Sequence, residues 1–345
     1  MSPSNVRVAL IGMGTVGREF VRLLRDERDE VEQHGVGFDL VAVYELGGAL
    51  YDDGSALDLD GVLGAASGTD GLASLPWWRA GLTALDHLRS VDCQLVVEAT
   101  PTNPHTGEPA LSHVKRALER GLSVVTSNKG PFYLEYGELL ALSQERGGLL
   151  GFESTVGSAM PLVQAREALA GNQVLSIEAI LNGTSNFILS RMASEGIPFH
   201  LALKEAQEQG YAEADPSLDV DGYDAAGKLV ILVNVLTRAR KTIKDVRVRG
   251  IRSVTQEAMT LAKEEGYSIK PLAVARGGKL EVGPRLVPKG SALDVDGTLN
   301  VVKLTTKLAG DLVYVGRGAG GTEAAAGMLA DAIRVAKQLV GGRRE

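Results

Sequence analysis

A chain of 345 residues exceeds what one hydrophobic core usually serves, so two domains are expected. With 44% hydrophobic residues, 42 glycines and 12 prolines it reads as a folded globular protein, and a net charge of −7 argues against nucleic acid or an anionic membrane surface as the main partner. The single Cys93 rules out an intrachain disulfide and, beside an apolar run, predicts a buried reduced thiol and a cytoplasmic home.

The N-terminus lacks the basic-then-apolar pattern of an export signal, and no apolar run approaches the length of a membrane span. The histidines show no metal-ligand spacing with each other or with Cys93, so zinc is not expected. A protein acting on small molecules is the expectation.

VRVALIG, residues 6–12, reads as a strand closing in a glycine turn that opens the helix around EFVRLLRDE. Gly12, Gly14 and Gly17 fit the dinucleotide spacing G-x-G-x-x-G. Gly12 permits the turn, Gly14 lets backbone approach a pyrophosphate, and Gly17 allows close packing of helix on strand. Thr15 and Val16 stand at the helix start, where N–H groups without intrahelical partners face the phosphates.

The next strand, FDLVAVYE, ends at Glu45, whose carboxylate can bond the adenosine ribose hydroxyls. No Lys or Arg occurs between Arg28 and Arg79 to meet a 2′-phosphate, so the reading leans toward NAD and leaves NADP open. Residues 47–78, rich in Gly and Asp, are expected to form a long irregular loop with one short helix.

CQLVVEAT predicts a buried parallel strand delivering Thr100 to the carboxyl edge of the sheet. After the helix HVKRALERG, LSVVTSNKG delivers Asn128 and Lys129 to that same edge, where open α/β sheets take their ligands. Lys129 is therefore a candidate for chemistry or substrate binding, against the plainer reading of a lysine in a strand-to-helix turn.

LLGFESTVGSAMP is expected to mark the crossing into a second domain, followed by a helix over PLVQAREALAG. Glu153 with the carbonyls of the compact loop can hold a hard cation, although from the local sequence alone a simple strand-end glutamate is the better reading. VLSIEAILNGTSNFILSRMASEG predicts a strand, the turn Asn182-Gly183-Thr184 and a helix. That turn offers a hydroxyl and helix-start N–H groups to a substrate carboxylate, or an N-cap by Thr184 or Ser185.

The stretch GYAEADPSLDVDGYDAAGK, from Gly210 to Lys228, sets Glu213, Asp215, Asp219, Asp221 and Asp224 ahead of one lysine. Asp224 and Lys228 stand four apart at helical spacing, so they share a face. A surface ion pair is the bland alternative, but the run LVILVNVL argues for burial, and a buried lysine needs a partner or a task. Surplus carboxylates beside it suit a ligand bearing its own ammonium, such as an amino acid.

Further on, KPLAVARGGKLEVGPRLVP predicts a hairpin turning at Gly277-Gly278. Gly316, Gly318, Gly320 and Gly321 precede a long closing helix that is expected to return to the nucleotide domain, where these glycines would let the backbone lie against the cofactor. The expected fold class is α/β: a Rossmann-type, doubly wound dinucleotide-binding domain (1–150), an α+β substrate and dimerisation domain (151–310), and a returning C-terminal segment (311–345).

Taken in order, the glycine motif, SNKG, FESTVGSAMP, NGTSNFI, GYAEADPSLDVDGYDAAGKL and GRGAGG resemble homoserine dehydrogenase over essentially the full length. The resemblance implies NAD(P)-dependent interconversion of L-homoserine and L-aspartate 4-semialdehyde in threonine and methionine biosynthesis. Lys228 would be the proton donor and acceptor, and Lys129 its partner across the substrate. Glu213, Asp219 and Asp224 would bind the substrate amino group and position the lysine, with Gly183, Thr184 and Tyr211 lining the same place.

The same resemblance implies a sodium ion near Glu153, Val156, Ser158 and Met160, nucleotide contacts at Gly12 to Gly17, Thr100, Gly210 and the Gly318/Gly320 loop, and at least a homodimer. No module for feedback by threonine is expected. Two other readings stand beside it: another amino-acid dehydrogenase of similar build, such as an aspartate dehydrogenase, and a catalytically silent nucleotide-sensing protein.

Overall fold

A computed structural model of the chain describes residues 4–341. These divide into two compact units, one holding the chain up to Ser158 together with the residues from Gly320 onward, the other holding Ala159–Ala319.

The first unit is built on β1 (Ser4–Ile11), β2 (Val36–Glu45), β3 (Gly48–Tyr51), β4 (Trp78–Ala80), β5 (Leu95–Glu98), β6 (Ser123–Thr126) and β7 (Leu150–Gly151). They form one sheet in the order β4-β3-β2-β1-β5-β6-β7, parallel from β2 through β7. A parallel strand between helix layers must shed water from both faces, which is why Val8, Leu10, Leu95, Val96 and Val97 are fully buried apolar residues. The chain runs from β1 outward to β2 and later returns on the other side of β1 to β5. Such a reversal opens a ligand crevice at the carboxyl ends of the two inner strands.

The helix Thr15–Asp26 packs Phe20, Val21, Leu23 and Leu24 into this core, and the closing helix Gly321–Gly341 adds Ala325, Met328, Leu329, Ala332, Val335 and Ala336. Their three-and-four spacing is the single apolar stripe of a core-facing helix. The closing helix also buries Asp331, which accepts the Glu153 backbone N–H at 2.8 Å and pairs with Arg334 at 3.0 Å.

Residues 47–78 correct the expected loop. Gly47 turns the chain at φ +94°, β3 then runs antiparallel to β2, and β4, beginning at Trp78, pairs antiparallel with β3. A Cβ on Gly48 would lie 2.6 Å from both the Trp78 ring and the Arg79 carbonyl, so the glycine composition marks tight strand packing rather than disorder. The helix Leu59–Ala66, capped by Asp58, is the short helix anticipated there.

In the second unit, β8 (Val174–Ile180), β9 (Val246–Val248), β10 (Tyr267–Arg276), β11 (Lys279–Pro288), β12 (Leu299–Thr306) and β13 (Gly310–Arg317) form a sheet of order β13-β12-β8-β10-β11-β9. All its pairings are antiparallel except β9 with β11. β10 and β11 turn through Gly277 and Gly278 at φ +58° and +79°, as the glycine pair predicted. The helices Gly183–Glu195 and Tyr223–Thr237 pack against this sheet.

One local expectation fails. The helix expected over residues 161–171 is a single turn, Ala165–Ala168, bracketed by Pro161 and by Gly171 at φ +80°. The segment LLG is β7, the edge strand of the first sheet, and the chain passes into the second unit after Ser158, within the expected stretch 149–161.

Candidate functional site

In the second unit, Tyr223–Thr237 is helical because Gly222, at φ +88°, turns the chain into it and nearly every following side chain is apolar. Asp224 in its first turn and Lys228 one turn later are on one face, with Nζ and Oδ2 2.9 Å apart and both side chains more than nine-tenths buried. Lys228 also donates to the Leu181 carbonyl at 2.9 Å. Burying an ammonium costs several kcal/mol unless donors and charge are matched, and here a carboxylate and a carbonyl meet it.

Leu181 and Asn182 follow β8. Asn182 donates its side-chain amide to Asp219 at 2.6 Å and to Asp224 at 2.9 Å, while its amide oxygen caps the next helix by accepting from Ser185 N–H at 2.8 Å. The cap is thus Asn182, not Thr184 or Ser185. Thr184 instead donates to the Tyr211 carbonyl at 2.7 Å, and Tyr211, 45% exposed, leans its ring on Phe187. Gly183 has its own packing reason, since a Cβ there would lie 2.7 Å from the Thr298 carbonyl.

The acidic block separates into different environments. Asp221 pairs with Arg252 at 2.6 Å, and the contact raises the Arg252 guanidinium further above its ordinary range. Asp215 accepts from Ser217 N–H at 3.1 Å, and its hydrogen bonds to Ser217 hold its carboxyl below the usual range. Glu213 is exposed. Asp219 and Asp224 are the two that Asn182 gathers beside Lys228, so the surplus negative charge there is smaller than the sequence count suggests. Gly210, at φ +75°, ends the helix Phe199–Glu208 in open space.

In the first unit, the three glycines have separate structural reasons. A Cβ on Gly12, at φ +93°, would meet the Ala99 carbonyl at 2.8 Å; one on Gly17 would meet the Gly12 carbonyl at 2.0 Å; one on Gly14 would meet nothing within 4 Å. Gly12 and Gly17 are required by the fold, whereas Gly14 faces open space at the start of the helix Thr15–Asp26, where no side chain caps the N–H groups of Thr15 and Val16. This is the cradle that a dinucleotide pyrophosphate fits.

Glu45 ends β2 exposed, followed by the fully exposed Leu46. Arg79 is turned along β3, donating to the Tyr51 carbonyl at 3.0 Å and to Asp53 at 2.8 Å. Thr100 follows β5, and Lys129, half-buried, immediately precedes the helix Gly130–Arg146. Both lie at the carboxyl edge of the sheet, as expected.

Glu153 and Ser158 flank the one-turn helix Ser154–Gly157, in which Val156 is fully buried; Ser158 is held at φ +55°. Ser154 donates to the Ala324 carbonyl at 2.7 Å, and the Ser158 carbonyl lies where only a glycine, Gly327, leaves room in the closing helix. Met160 lies two residues beyond Ser158, in the second unit, with its carbonyl accepting from Leu162 at 2.8 Å. A carboxylate with backbone carbonyls is a hard-cation donor set, and the described residues hold no cluster of His, Cys, Asp and Glu for a transition metal. Gly318 packs against Asn300, whose side chain a Cβ would overlap at 1.8 Å, and Gly320 adopts φ +135°.

Sequence reasoning passed over Asn182 as an organising residue, the Leu181 carbonyl, Arg252, and Glu98 at the end of β5. Asn182 carried one signal, a capping residue directly before a helical run.

Comparison with known proteins matches residues 12–153 to the NAD binding domain of homoserine dehydrogenase and residues 161–333 to the homoserine dehydrogenase family. The chain is 42% identical to the homoserine dehydrogenase of Methanocaldococcus jannaschii, over 95% of this chain and 98% of that one. It is 36% identical to the NAD(+)-dependent homoserine dehydrogenase of Pseudomonas canavaninivorans, over 95% and 96% of the two chains. Among solved structures, a hyperthermophilic archaeal homoserine dehydrogenase in complex with NADPH superposes with a TM-score of 0.83 at 29% identity, covering 96% of this chain and 97% of that one.

Proposed function

The chain belongs to the homoserine dehydrogenase family, and we propose that Lys228 carries the proton in its NAD(P)-dependent interconversion of L-homoserine and L-aspartate 4-semialdehyde. The observation supporting this is the buried lysine bonded at once to Asp224 and to the Leu181 carbonyl. In oxidation the neutral amine takes the hydroxyl proton of homoserine; in reduction the ammonium returns it. Bound nicotinamide supplies the hydride acceptor or donor at the same carbon. Because the base form is needed for oxidation, that direction rises with pH.

Asp219 and Asp224, joined through Asn182, are proposed to receive the substrate ammonium together with Glu213, with Gly183, Thr184 and Tyr211 around it. Lys129 is the second proposed catalytic residue. Gly12, Gly14, Thr15, Val16, Gly17, Thr100, Gly210, Gly318 and Gly320 are the proposed nucleotide contacts. Glu45 would take the ribose hydroxyls, and the lean toward NAD is supported by Arg79 being engaged at Tyr51 and Asp53.

A sodium ion on Glu153 with the carbonyls of Val156 and Ser158 is proposed, these being oxygen ligands of the kind a hard cation takes, and Met160 is carried over from the resemblance alone. A homodimer through the six-stranded sheet is supported by Val313 and Val315, 42% and 52% exposed on the edge strand β13. The lone Cys93, which is buried, is the ground on which a cytoplasmic setting is proposed. No helix among the described residues is long and apolar enough to cross a membrane.

The test is initial-rate oxidation of L-homoserine with NAD and NADP side by side. Reduction of either without release of ammonia is expected. Ammonia release would point to an amino-acid dehydrogenase instead, and no nucleotide reduction would refute the assignment.

A further inference from the structure

Two loops at the carboxyl edge of the first sheet are tied to one buried carboxylate. Glu98, the last residue of β5, has no exposed surface. Its Oε1 accepts from the Thr100 backbone N–H at 3.1 Å and from the Thr100 hydroxyl, while its Oε2 accepts from the Thr126 hydroxyl at 3.1 Å.

The network continues into the next loop. The Thr126 hydroxyl oxygen accepts from Asn128 N–H at 2.9 Å. The Asn128 side-chain amide donates to the Thr100 carbonyl at 2.9 Å, and its oxygen accepts from the Thr102 hydroxyl at 3.1 Å and from Gly130 N–H at 3.1 Å. Lys129 is thereby held on both sides, since the residues before and after it are each pinned to the same set of bonds.

Finishing a strand needs no charge, and a buried carboxylate is costly wherever donors are lacking. Here donors converge on it from both loops, and hydrogen bonds to an ionised acceptor are the stronger kind. His113 also faces it, with Nδ1 at 3.7 Å from Oε1, beyond hydrogen-bond length, and that buried ring nitrogen has no hydrogen-bond partner. The hydroxyl and amide donors therefore do the holding.

We propose that Glu98 is a positioning residue for the reaction: its carboxylate locks the loop after β5 to the loop after β6 and so fixes the place from which Lys129 acts. This rests on the reading of Lys129 given above. Displacement of a reacting group by about an ångström can lower turnover roughly a hundredfold, so the effect belongs in kcat.

The test is a cycle of variants with kcat, KM, nucleotide affinity and melting temperature measured for each. Glu98→Gln is expected to lower kcat about 10- to 100-fold, by more than any rise in KM. In a Lys129→Ala background the same substitution should cost little more, because both act through one group. Thr126→Val should follow Glu98→Gln, and Thr126→Ser, which retains the hydroxyl, should lose less. If Glu98→Gln does not fold, the Thr126 pair takes its place in the cycle.

Unchanged kcat in both Glu98→Gln and Thr126→Val, while Lys129→Ala is crippled, would overturn this inference alone. So would a full additional loss in the Lys129→Ala background. Full turnover by Lys129→Ala would remove the reading of Lys129 and this inference with it.

Discussion

Asn182 donates to the same oxygen of Asp224, Oδ2, that faces the Lys228 ammonium, each at 2.9 Å. One carboxylate oxygen is therefore fixed from two sides, by an amide that arrives from the end of β8 and by a lysine one helical turn away. The second amide hydrogen bonds Asp219 at 2.6 Å.

Replacing Asn182 with alanine removes both bonds and the helix cap. Hydrogen bonds to charged groups are worth about 1.5–3 kcal/mol and a cap about 1 kcal/mol. We expect kcat/KM for homoserine to fall about 10- to 100-fold and the protein to melt at lower temperature, with nucleotide affinity retained. Steady-state kinetics and calorimetry check this; wild-type kcat/KM would show that the bridge does not matter.

The acidic block should divide by function as it does by geometry. Asp221→Asn only breaks a half-exposed pair with Arg252, worth less than about 1 kcal/mol, and should leave homoserine oxidation near wild type. Asp224→Asn removes the charge beside Lys228 and should lower kcat at least about tenfold. Parallel rate measurements on the two variants decide it, and equal losses would mean that Asp221 also acts in the site.

Gly14 and Gly17 should also part company. Alanine at Gly17 puts a Cβ 2.0 Å from the Gly12 carbonyl, so destabilisation of about 1–3 kcal/mol is expected in denaturant melts. Alanine at Gly14, whose φ of −70° suits any residue and whose Cβ meets nothing, should melt like wild type while nucleotide affinity falls about tenfold or more. Nucleotide titration by fluorescence reads the second effect. Unweakened affinity would move the phosphates elsewhere.

His87 provides a pH signature. It shares a 2.8 Å hydrogen bond with the Tyr44 hydroxyl and stands edge-on to Tyr51, and burial, aided by Arg79 and Arg120, holds its pKa below the ordinary value. The unfolded chain, titrating near about 6.5, then binds more protons than the folded one in the interval between the two values. The associated stability is full above that unfolded value and is lost as pH falls through the lower folded one. Denaturant midpoints should drop more steeply from about pH 7 to about pH 5 in wild type than in His87→Asn, and equal slopes would contradict this.

What could be read from the chain follows from the range of the interactions. The glycine turn, the Glu45 strand end and the Asp224–Lys228 pair are set by residues within one or two turns of each other, and periodicity reveals them. Arg252 neutralises Asp221 from 31 positions away, and Asn182 reaches Asp219 and Asp224 from 37 and 42 away. No local pattern encodes such partners. Residues 47–78 misled for a different reason: their glycines serve close strand packing against Trp78, a demand that in sequence looks the same as a loop.

Lys228→Ala bears most directly on the proposal that the Lys228 amine carries the proton. Lys228→Ala, measured with saturating L-homoserine and nucleotide, should bind the nucleotide as wild type does and lose kcat by about 100-fold or more. A variant that binds nucleotide normally and turns over at the wild-type rate would mean that another group carries the proton.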